Sequence, residues 1–156
     1  MSTTQLKAGV YRIVNEASQS SVRVHQIGRP MKLSYGFELL GSYEQFELLV
    51  QPKGEYLIKN MGFAAGEVGM DIDTMVINGG NPLPFALEYA GDGLYAVKAT
   101  DKAMYWSAPQ SPTRRLPDVD VELTSTAADG EFSPSQLWRF ERLDVDEEAG
   151  SDSDSL

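Results

Sequence analysis

Apolar and polar residues alternate over short stretches along most of this chain, and turn-forming residues separate the stretches. A period of two places alternate side chains on opposite faces of an extended strand. No stretch combines helical apolar spacing with capping residues. The pattern therefore predicts twelve short strands, at residues 9–14, 21–25, 32–40, 45–51, 56–60, 64–69, 74–78, 85–89, 95–99, 104–107, 119–123 and 137–143.

Glycine and proline mark the turns between these strands. The sequences PKG at 52–54 and GDG at 91–93 join two predicted strands each. Proline presets φ for a turn, and glycine tolerates the positive φ that many turns require. The sequence NGGNP at 78–82 predicts a loop for the same reasons.

One short motif recurs three times. GVYRI at 9–13 is matched by GEYLI at 54–58 and by GLYAV at 93–97. The tyrosines of the first two copies are 45 positions apart, and those of the second and third are 39 apart. Such self-similarity indicates an internal structural repeat.

A second motif shifts in step with the first. FEL at 46–48 and FAL at 85–87 are also 39 positions apart. WRF at 138–140 supplies the matching step at the end of the chain, 53 positions after Phe85, so the third unit carries the longest insertion.

Three units of four strands predict an all-β fold, the β-trefoil, with pseudo-threefold symmetry. Six strands form a short barrel in this fold, and six form three hairpins that close one end. Alternating apolar residues fill the inside of such a barrel. We therefore assign the repeated apolar positions to the core: Tyr11, Ile13, Phe46, Leu48, Tyr56, Ile58, Phe85, Leu87, Tyr95, Val97, Trp138 and Phe140.

Length and charge indicate one domain with an acidic tail. The chain has 156 residues and a net charge of -10. Residues 1–143 are the predicted trefoil domain, and residues 144–156, with six acids and no Lys or Arg, are predicted to be disordered. Without the tail the charge is -4, which argues against a nucleic acid or an anionic membrane as partner.

Other function classes are excluded by what the sequence lacks. It has no cysteine, so disulfides, zinc thiolate sites and cysteine nucleophiles are ruled out. Residues 1–7 lack the apolar core of a signal peptide, and no apolar run is long enough to span a membrane. We expect a cytoplasmic monomer.

Catalytic chemistry is weakly supported. His25 is the only histidine, and the Gly-x-Ser-x-Gly turn of a hydrolase is missing. Two Asp-x-Asp pairs, at 71–73 and 118–120, do not match a calcium loop. We therefore expect no enzyme activity, no metal and no cofactor.

The insertion of the third unit contains a basic loop between two prolines. Arg114, Arg115 and Leu116 lie between Pro112 and Pro117 on an otherwise acidic chain. Proline reduces the freedom that a loop loses when it docks. An arginine on a stiff, extended loop suits the specificity pocket of a trypsin-like protease, which has a buried aspartate. The alternative interpretation is an ordinary rigid surface loop.

Two further places are candidate protease-binding loops. The first is the segment at 26–32, which includes Gly28, Arg29, Pro30 and Lys32, although a proline following Arg29 is unfavourable for a trypsin-type site. The second is Asn60, which would suit an asparagine-specific protease if it were exposed at the end of its strand, and which otherwise belongs to a hairpin turn.

The opening LKAGVYRIVN at 6–15, the GEY turn at 54–56 and the closing QLWRF at 136–140 resemble the fungal β-trefoil protease inhibitors. The cysteine-free, acidic serine protease inhibitors of mushrooms, the cospin-like group, are the most similar set, and the mycocypins, which inhibit cysteine proteases, are neighbours. The resemblance covers residues 6–143. It implies a defence protein whose barrel presents an inhibitory loop, which in the cospin-like group is the loop at 26–31. The asparagine-specific loop of some mycocypins would correspond to the Asn60 turn.

A carbohydrate-binding β-trefoil lectin is the main alternative. Ricin-type lectins repeat a Gln-x-Trp motif in each unit, and this chain has one clean copy, QLW at 136–138. Tyr105 and Trp106 would be the candidate sugar platform, or else part of the core. A trefoil with a purely structural or interaction role remains a third class, because a fold does not define a function.

Overall fold

The computed structural model describes residues 6–35, 41–62, 66–70, 75–79, 81–126 and 130–143. These residues form fourteen strands and two single turns of 3₁₀ helix, Ser42–Glu44 and Pro134–Gln136. The strands are β1 (Gly9–Asn15), β2 (Val22–Arg23), β3 (Lys32–Ser34), β4 (Phe46–Val50), β5 (Tyr56–Asn60), β6 (Val68–Met70), β7 (Val76–Asn78), β8 (Asn81–Pro82), β9 (Phe85–Gly91), β10 (Leu94–Ala99), β11 (Tyr105–Ser107), β12 (Asp118–Asp120), β13 (Glu122–Thr124) and β14 (Trp138–Arg142).

Six of these strands form a closed antiparallel barrel. The order around it is β10, β14, β1, β4, β5 and β9, and β9 pairs again with β10. The remaining strands include three hairpin pairs, β2 with β3, β6 with β7, and β11 with β13. A six-stranded barrel with three hairpins is the predicted β-trefoil, so this prediction is confirmed.

The three hairpins meet in a ring of backbone hydrogen bonds. The N–H of Met31 donates to the C=O of Val76 at 2.8 Å, Val76 donates to Val121 at 3.3 Å, and Val121 donates to Met31 at 2.9 Å. All three side chains are fully buried. Each residue contributes one donor and one acceptor, so the ring satisfies the polar backbone groups that burial would otherwise leave unpaired.

The repeated aromatic residues lie in the core, as predicted. Phe46, Phe85 and Trp138 are fully buried, and Tyr11 and Tyr56 are almost fully buried. The tyrosine hydroxyls are satisfied, because they donate to the C=O of Lys7 and of Leu6 respectively. Leu87 differs from the prediction, since it packs against the core but stays partly exposed.

The structure corrects two predicted elements. The strand predicted at 119–123 is two strands, because the chain leaves β3 at Val121 and then pairs with β11. The loop predicted at 78–82 contains β8, in which Pro82 lies opposite Gly69 of β6. The predicted acidic tail, 144–156, and parts of the strands predicted at 32–40, 64–69 and 74–78 lie outside the described residues.

Candidate functional site

The long insertion of the third unit, residues 108–121, leaves β11 and returns to β13 by way of β12. β12 does not pair within its own unit. It pairs with β3 of the first unit, with Val119 opposite Leu33. The insertion is therefore attached to a neighbouring repeat.

The C-terminal side of the loop is held by backbone hydrogen bonds. The N–H of Tyr35 donates to the C=O of Pro117 at 2.7 Å, and the N–H of Val121 donates to Met31 in the hairpin ring. Between these two points the β12–β3 pairing continues the attachment. The chain from Pro117 to Val121 is thus fixed at both ends.

Side chains reinforce the same contact. The Ser34 hydroxyl donates to Asp118 Oδ1 at 2.9 Å, and His25 Nε2 lies 3.3 Å from the same oxygen. Lys32 Nζ forms an ion pair with Asp120 Oδ1. Asp118 and Asp120 therefore bind groups of the first unit, and they do not behave as a free calcium-binding pair.

The N-terminal side of the loop is anchored by a backbone hydrogen bond and by a buried proline. The N–H of Ala108 donates to the C=O of Ser135 at 3.0 Å. Pro112 is buried, whereas residues 113–117 are all exposed. Burial of a rigid proline ring next to an exposed segment limits how far that segment can move.

The tip of the loop is a tight turn. The N–H of Thr113 donates to the C=O of Leu116 at 2.9 Å, and the N–H of Leu116 donates to Thr113 Oγ1 at 3.0 Å. Arg114 and Arg115 occupy the turn between them. The expectation of an extended backbone here is wrong, because the Thr113 side chain accepts a hydrogen bond that closes the turn, as threonine commonly does in turns.

The tip presents positive charge and apolar surface. Arg114 and Arg115 are exposed, and neither forms an ion pair with a carboxylate of the described residues. Leu116 is 49% exposed, and the neighbouring Tyr35 is 45% exposed. Arginine and tyrosine are enriched among the residues that anchor protein interfaces.

The loop at 26–31 is arranged differently. Arg29 is exposed, but its C=O accepts from the N–H of Asn78 at 3.4 Å, and the N–H of Gly28 donates to the C=O of Asn78 at 2.5 Å. Pro30 forms a β-bridge with Ile77. The backbone around Arg29 is thus paired with β7 and is not available to an edge strand of a protease.

Lys32 and Asn60 are both engaged in contacts within the fold. Lys32 lies in β3 and is ion-paired. Asn60 is fully buried, so the prediction that it is exposed at a turn is wrong. Its amide donates to the C=O of Tyr43 at 3.0 Å, and its Oδ1 accepts from the N–H of Gly62 at 2.9 Å. A protease cannot bind the Asn60 side chain in its specificity pocket while that side chain is buried and hydrogen-bonded within the fold.

The Ser34, His25 and Asp118 side chains do not have the geometry of a catalytic triad. In a triad the serine donates to one imidazole nitrogen, and the aspartate accepts from the other. Here the serine hydroxyl and the carboxylate both approach Nε2, at 3.4 Å and 3.3 Å, and Ser34 donates to the carboxylate. The trio is a structural contact between β3 and β12.

The single Gln-x-Trp copy is part of the scaffold. Gln136 is buried, and its amide donates to Thr124 Oγ1 and to the C=O of Ser125, both at 3.0 Å. Its Oε1 accepts from the N–H of Ser133 at 3.3 Å. Trp138 is fully buried and donates to the C=O of Trp106 at 3.2 Å. The motif thus joins β11, β13 and β14.

The proposed aromatic platform of the third unit is mostly core. Trp106 is fully buried and packs edge to face against Phe85 at 5.4 Å between ring centroids. Tyr105 is partly exposed and lies 4.9 Å from the Phe132 ring. Burial, and then the Glu88 carboxylate at 3.3 Å from its hydroxyl, raise the pKa of Tyr105 above 10.0.

Two open cavities adjoin these elements. One, of about 500 Å³, lies in the third unit and is lined largely by hydroxyl side chains together with Phe132. The second, of about 360 Å³, lies beside the loop that carries Arg114 and Arg115, which we call the arginine loop. It is lined by Leu116, Asp118, Asp120 and Glu122 among others.

The described residues contain no group of three or more His, Asp or Glu side chains arranged to hold a metal ion. The Asp71 and Asp73 pair lies outside those residues. Helices long and apolar enough to cross a membrane are likewise missing from the described part of the chain.

Sequence reasoning missed Thr113 and the contact of β12 with the first unit. A threonine just after Pro112 and three residues before Leu116 is a recognisable turn signal, so Thr113 could have been identified. The partners of Asp118 could not, because Ser34 and His25 are more than 80 positions away.

No protein-family model and no curated protein matches this sequence. Solved structures match its fold. The agglutinin of Rhizoctonia solani is 16% identical with a TM-score of 0.72, and the match covers 91% of this chain and 100% of that chain. A Macrolepiota procera ricin B-like lectin in complex with lactose is 13% identical with a TM-score of 0.70, and covers 90% and 100%.

A proteinase inhibitor from Coprinopsis cinerea is 14% identical with a TM-score of 0.66, and the match covers 89% of this chain and 100% of that chain. At these identities the similarity establishes the β-trefoil fold. Proteins of this fold include both an inhibitor and lectins, so the fold does not distinguish between these functions.

Proposed function

We propose that this protein inhibits a trypsin-like serine protease by placing Arg115 in the protease specificity pocket. The observation that supports this most is the exposed tip, Arg114 to Leu116, on a loop whose two sides are fixed to the scaffold. Because both sides of the loop are fixed, the loop loses less conformational entropy when it binds, and this strengthens the complex. A proteinase inhibitor of the same fold is among the structural relatives, and this supports the proposal.

The positive charge at the tip of the loop favours a trypsin-like protease. A trypsin-like pocket has an aspartate at its base, and a free guanidinium is its complement. Arg115 has no carboxylate partner among the described residues to give up on binding. Leu116 and Tyr35 would extend the contact with apolar surface, in a one-to-one complex of standard size, about 1,600 Å² in total.

The test is titration of the protein into trypsin with three single variants. Removing one member of a buried charge pair costs about 2–5 kcal/mol, so Arg115→Ala should raise the inhibition constant by about 30-fold or more. Arg115→Lys should retain most of the inhibition. Arg29→Ala is the matched control and should leave it unchanged, because the backbone beside Arg29 is paired with β7.

Two results would count against the proposal in different ways. If Arg115→Ala inhibits like the wild type, the loop assignment is wrong, although the protein is an inhibitor. If the wild type inhibits none of a panel of serine and cysteine proteases, inhibition itself is wrong.

Carbohydrate binding is the second candidate, and the hydroxyl-lined cavity of about 500 Å³ favours it. Hydroxyl groups donate and accept hydrogen bonds, as a saccharide does, and Phe132 offers an aromatic face at the cavity wall. The lectins among the structural relatives have the same fold. A glycan array decides between the two: binding that is lost in Phe132→Ala and kept in Arg115→Ala would favour a lectin.

A further inference from the structure

Thr113 forms hydrogen bonds with both polar backbone groups of Leu116. Its N–H donates to the C=O of Leu116 at 2.9 Å, and its Oγ1 accepts from the N–H of Leu116 at 3.0 Å. The Leu116 nitrogen belongs to the peptide bond that joins it to Arg115. This is the bond that a protease would cleave after accepting Arg115 in its pocket.

Cleavage places demands on this peptide. The serine oxygen of the protease attacks the carbonyl carbon of Arg115, the bond to the Leu116 nitrogen breaks, and that nitrogen leaves as an amine after taking a proton. Proteins that bind peptides along an edge strand take them in an extended form. The turn must therefore open, and both hydrogen bonds between Thr113 and Leu116 must break, before the Arg115 peptide can lie extended.

We propose that Thr113 is a positioning residue that keeps the Arg115–Leu116 peptide in a closed turn and so protects it from hydrolysis by the protease that the loop binds. The proposal rests on the proposed function. Thr113 is not expected to contact the reacting atoms, since it acts through the conformation of Leu116.

The two sides of the loop support the closed turn. Pro112, directly before Thr113, is buried, and Pro117, directly after Leu116, accepts a hydrogen bond from Tyr35. Opening the turn must therefore separate residues whose neighbours are fixed. A free peptide of the same sequence has no such anchors.

The experiment compares Thr113→Val with Thr113→Ser. Valine is close in shape to threonine and removes Oγ1, while serine keeps the hydroxyl. Incubation with catalytic trypsin and mass spectrometry of the products gives the rate of cleavage between Arg115 and Leu116. Loss of one neutral hydrogen bond should accelerate that cleavage about three- to tenfold in Thr113→Val, and Thr113→Ser should resemble the wild type.

Thr100→Val is the matched control. The Thr100 hydroxyl donates to the C=O of Pro84, away from the loop, so its removal should leave cleavage after Arg115 unchanged. Thermal unfolding of every variant shows whether the fold is intact. A role in general stability would change the unfolding midpoint without a selective change at Arg115.

The outcomes separate this inference from the proposed function. If the wild type inhibits trypsin and Thr113→Val is cleaved no faster than the wild type, the role of Thr113 is wrong and inhibition stands. If the wild type does not inhibit but Thr113→Val is cleaved selectively faster after Arg115, inhibition is wrong and the protective turn stands. Equal acceleration in the serine variant would overturn the role of the hydroxyl.

Discussion

The backbone N–H of Val121 donates to the C=O of Met31 at 2.9 Å, and this bond joins the third unit of the trefoil to the first. It completes the ring in which Val76 is the third member, and it lies at the C-terminal end of the segment that carries the arginine loop. The centre of the hairpin layer and the base of the candidate site are thus the same piece of structure.

The ring makes Met31 a strong test of the core. Met31 is fully buried, and truncation of a buried methionine to alanine leaves a cavity, so Met31→Ala should lower the free energy of unfolding by about 2–5 kcal/mol. Met61→Ala is the matched control. Met61 is 37% exposed, and its substitution should change the free energy by about 0.5 kcal/mol or less. Urea unfolding of both variants measures the difference, and equal effects would contradict the position of Met31.

Asn60 should behave as a scaffold residue. Asn60→Ala removes a donor to Tyr43 and an acceptor for Gly62 inside the protein, and should cost about 1–3 kcal/mol of unfolding free energy. Gln110→Ala, at an exposed amide, is the control and should be nearly neutral. Thermal or urea unfolding measures both. An inhibition assay in which Asn60→Ala is fully folded yet loses activity against an asparagine-specific protease would show that the buried position is wrong.

Asn15 should give a similar result, because it occupies the same position in the first repeat. It is fully buried, and its amide donates to the C=O of Ser135 at 3.1 Å, as that of Asn60 donates to Tyr43. Each accepting residue lies in one of the two 3₁₀ turns. We expect a loss of about 1–3 kcal/mol in the unfolding free energy of Asn15→Ala, and a neutral result would break the proposed equivalence.

Asp118 should control the order of the arginine loop more than the stability of the fold. Its side chain is 39% exposed, so Asp118→Ala should change the unfolding free energy by only about 1 kcal/mol or less. Losing its contacts with Ser34 and His25 should increase hydrogen exchange at the Tyr35 amide, which donates to Pro117. Glu141→Gln, which removes an exposed ion pair with Arg12 on the barrel, should leave that amide protected.

Tyr95 should make the protein less stable in alkali. Burial, followed by the charges of Tyr89, Tyr56 and Tyr11, raises the pKa of Tyr95 above its ordinary value of 10.0. The folded state therefore keeps a proton that the unfolded state has lost, and this preference lowers stability as the pH rises above 10. Urea midpoints measured from pH 9 to 11 should fall less steeply for Tyr95→Phe. An identical slope in the variant would rule out this contribution.

The repeat in the sequence was enough to predict the barrel and the three hairpins. Residues at Tyr11, Tyr56 and Tyr95 recur because equivalent strands of a trefoil need the same apolar side chain inside the barrel. The same argument failed at Val121. Alternation predicts extended backbone on both sides of that residue, but it does not reveal that the strand changes its partner from β3 to β11.

Local spacing also identified the prolines and arginines of the candidate loop. It gave the wrong exposure for Asn60 and the wrong backbone for Arg114 and Arg115, because both depend on hydrogen bonds that a pattern of residue types does not specify. At the tip of the loop, a side-chain hydroxyl that accepts a backbone N–H acts together with a backbone hydrogen bond to close the turn.

The pattern of apolar residues in the sequence thus predicted the β-trefoil core, because buried apolar residues recur at every second position of a strand and in every unit. The site depends on contacts between residues far apart in the chain, such as Ser34 with Asp118 and Met31 with Val121. Those contacts exist only after the three units close around one axis. The physical reason is that two groups can form a hydrogen bond only when the fold brings them close together. The hydrophobic pattern, in contrast, is present in the sequence of each strand by itself.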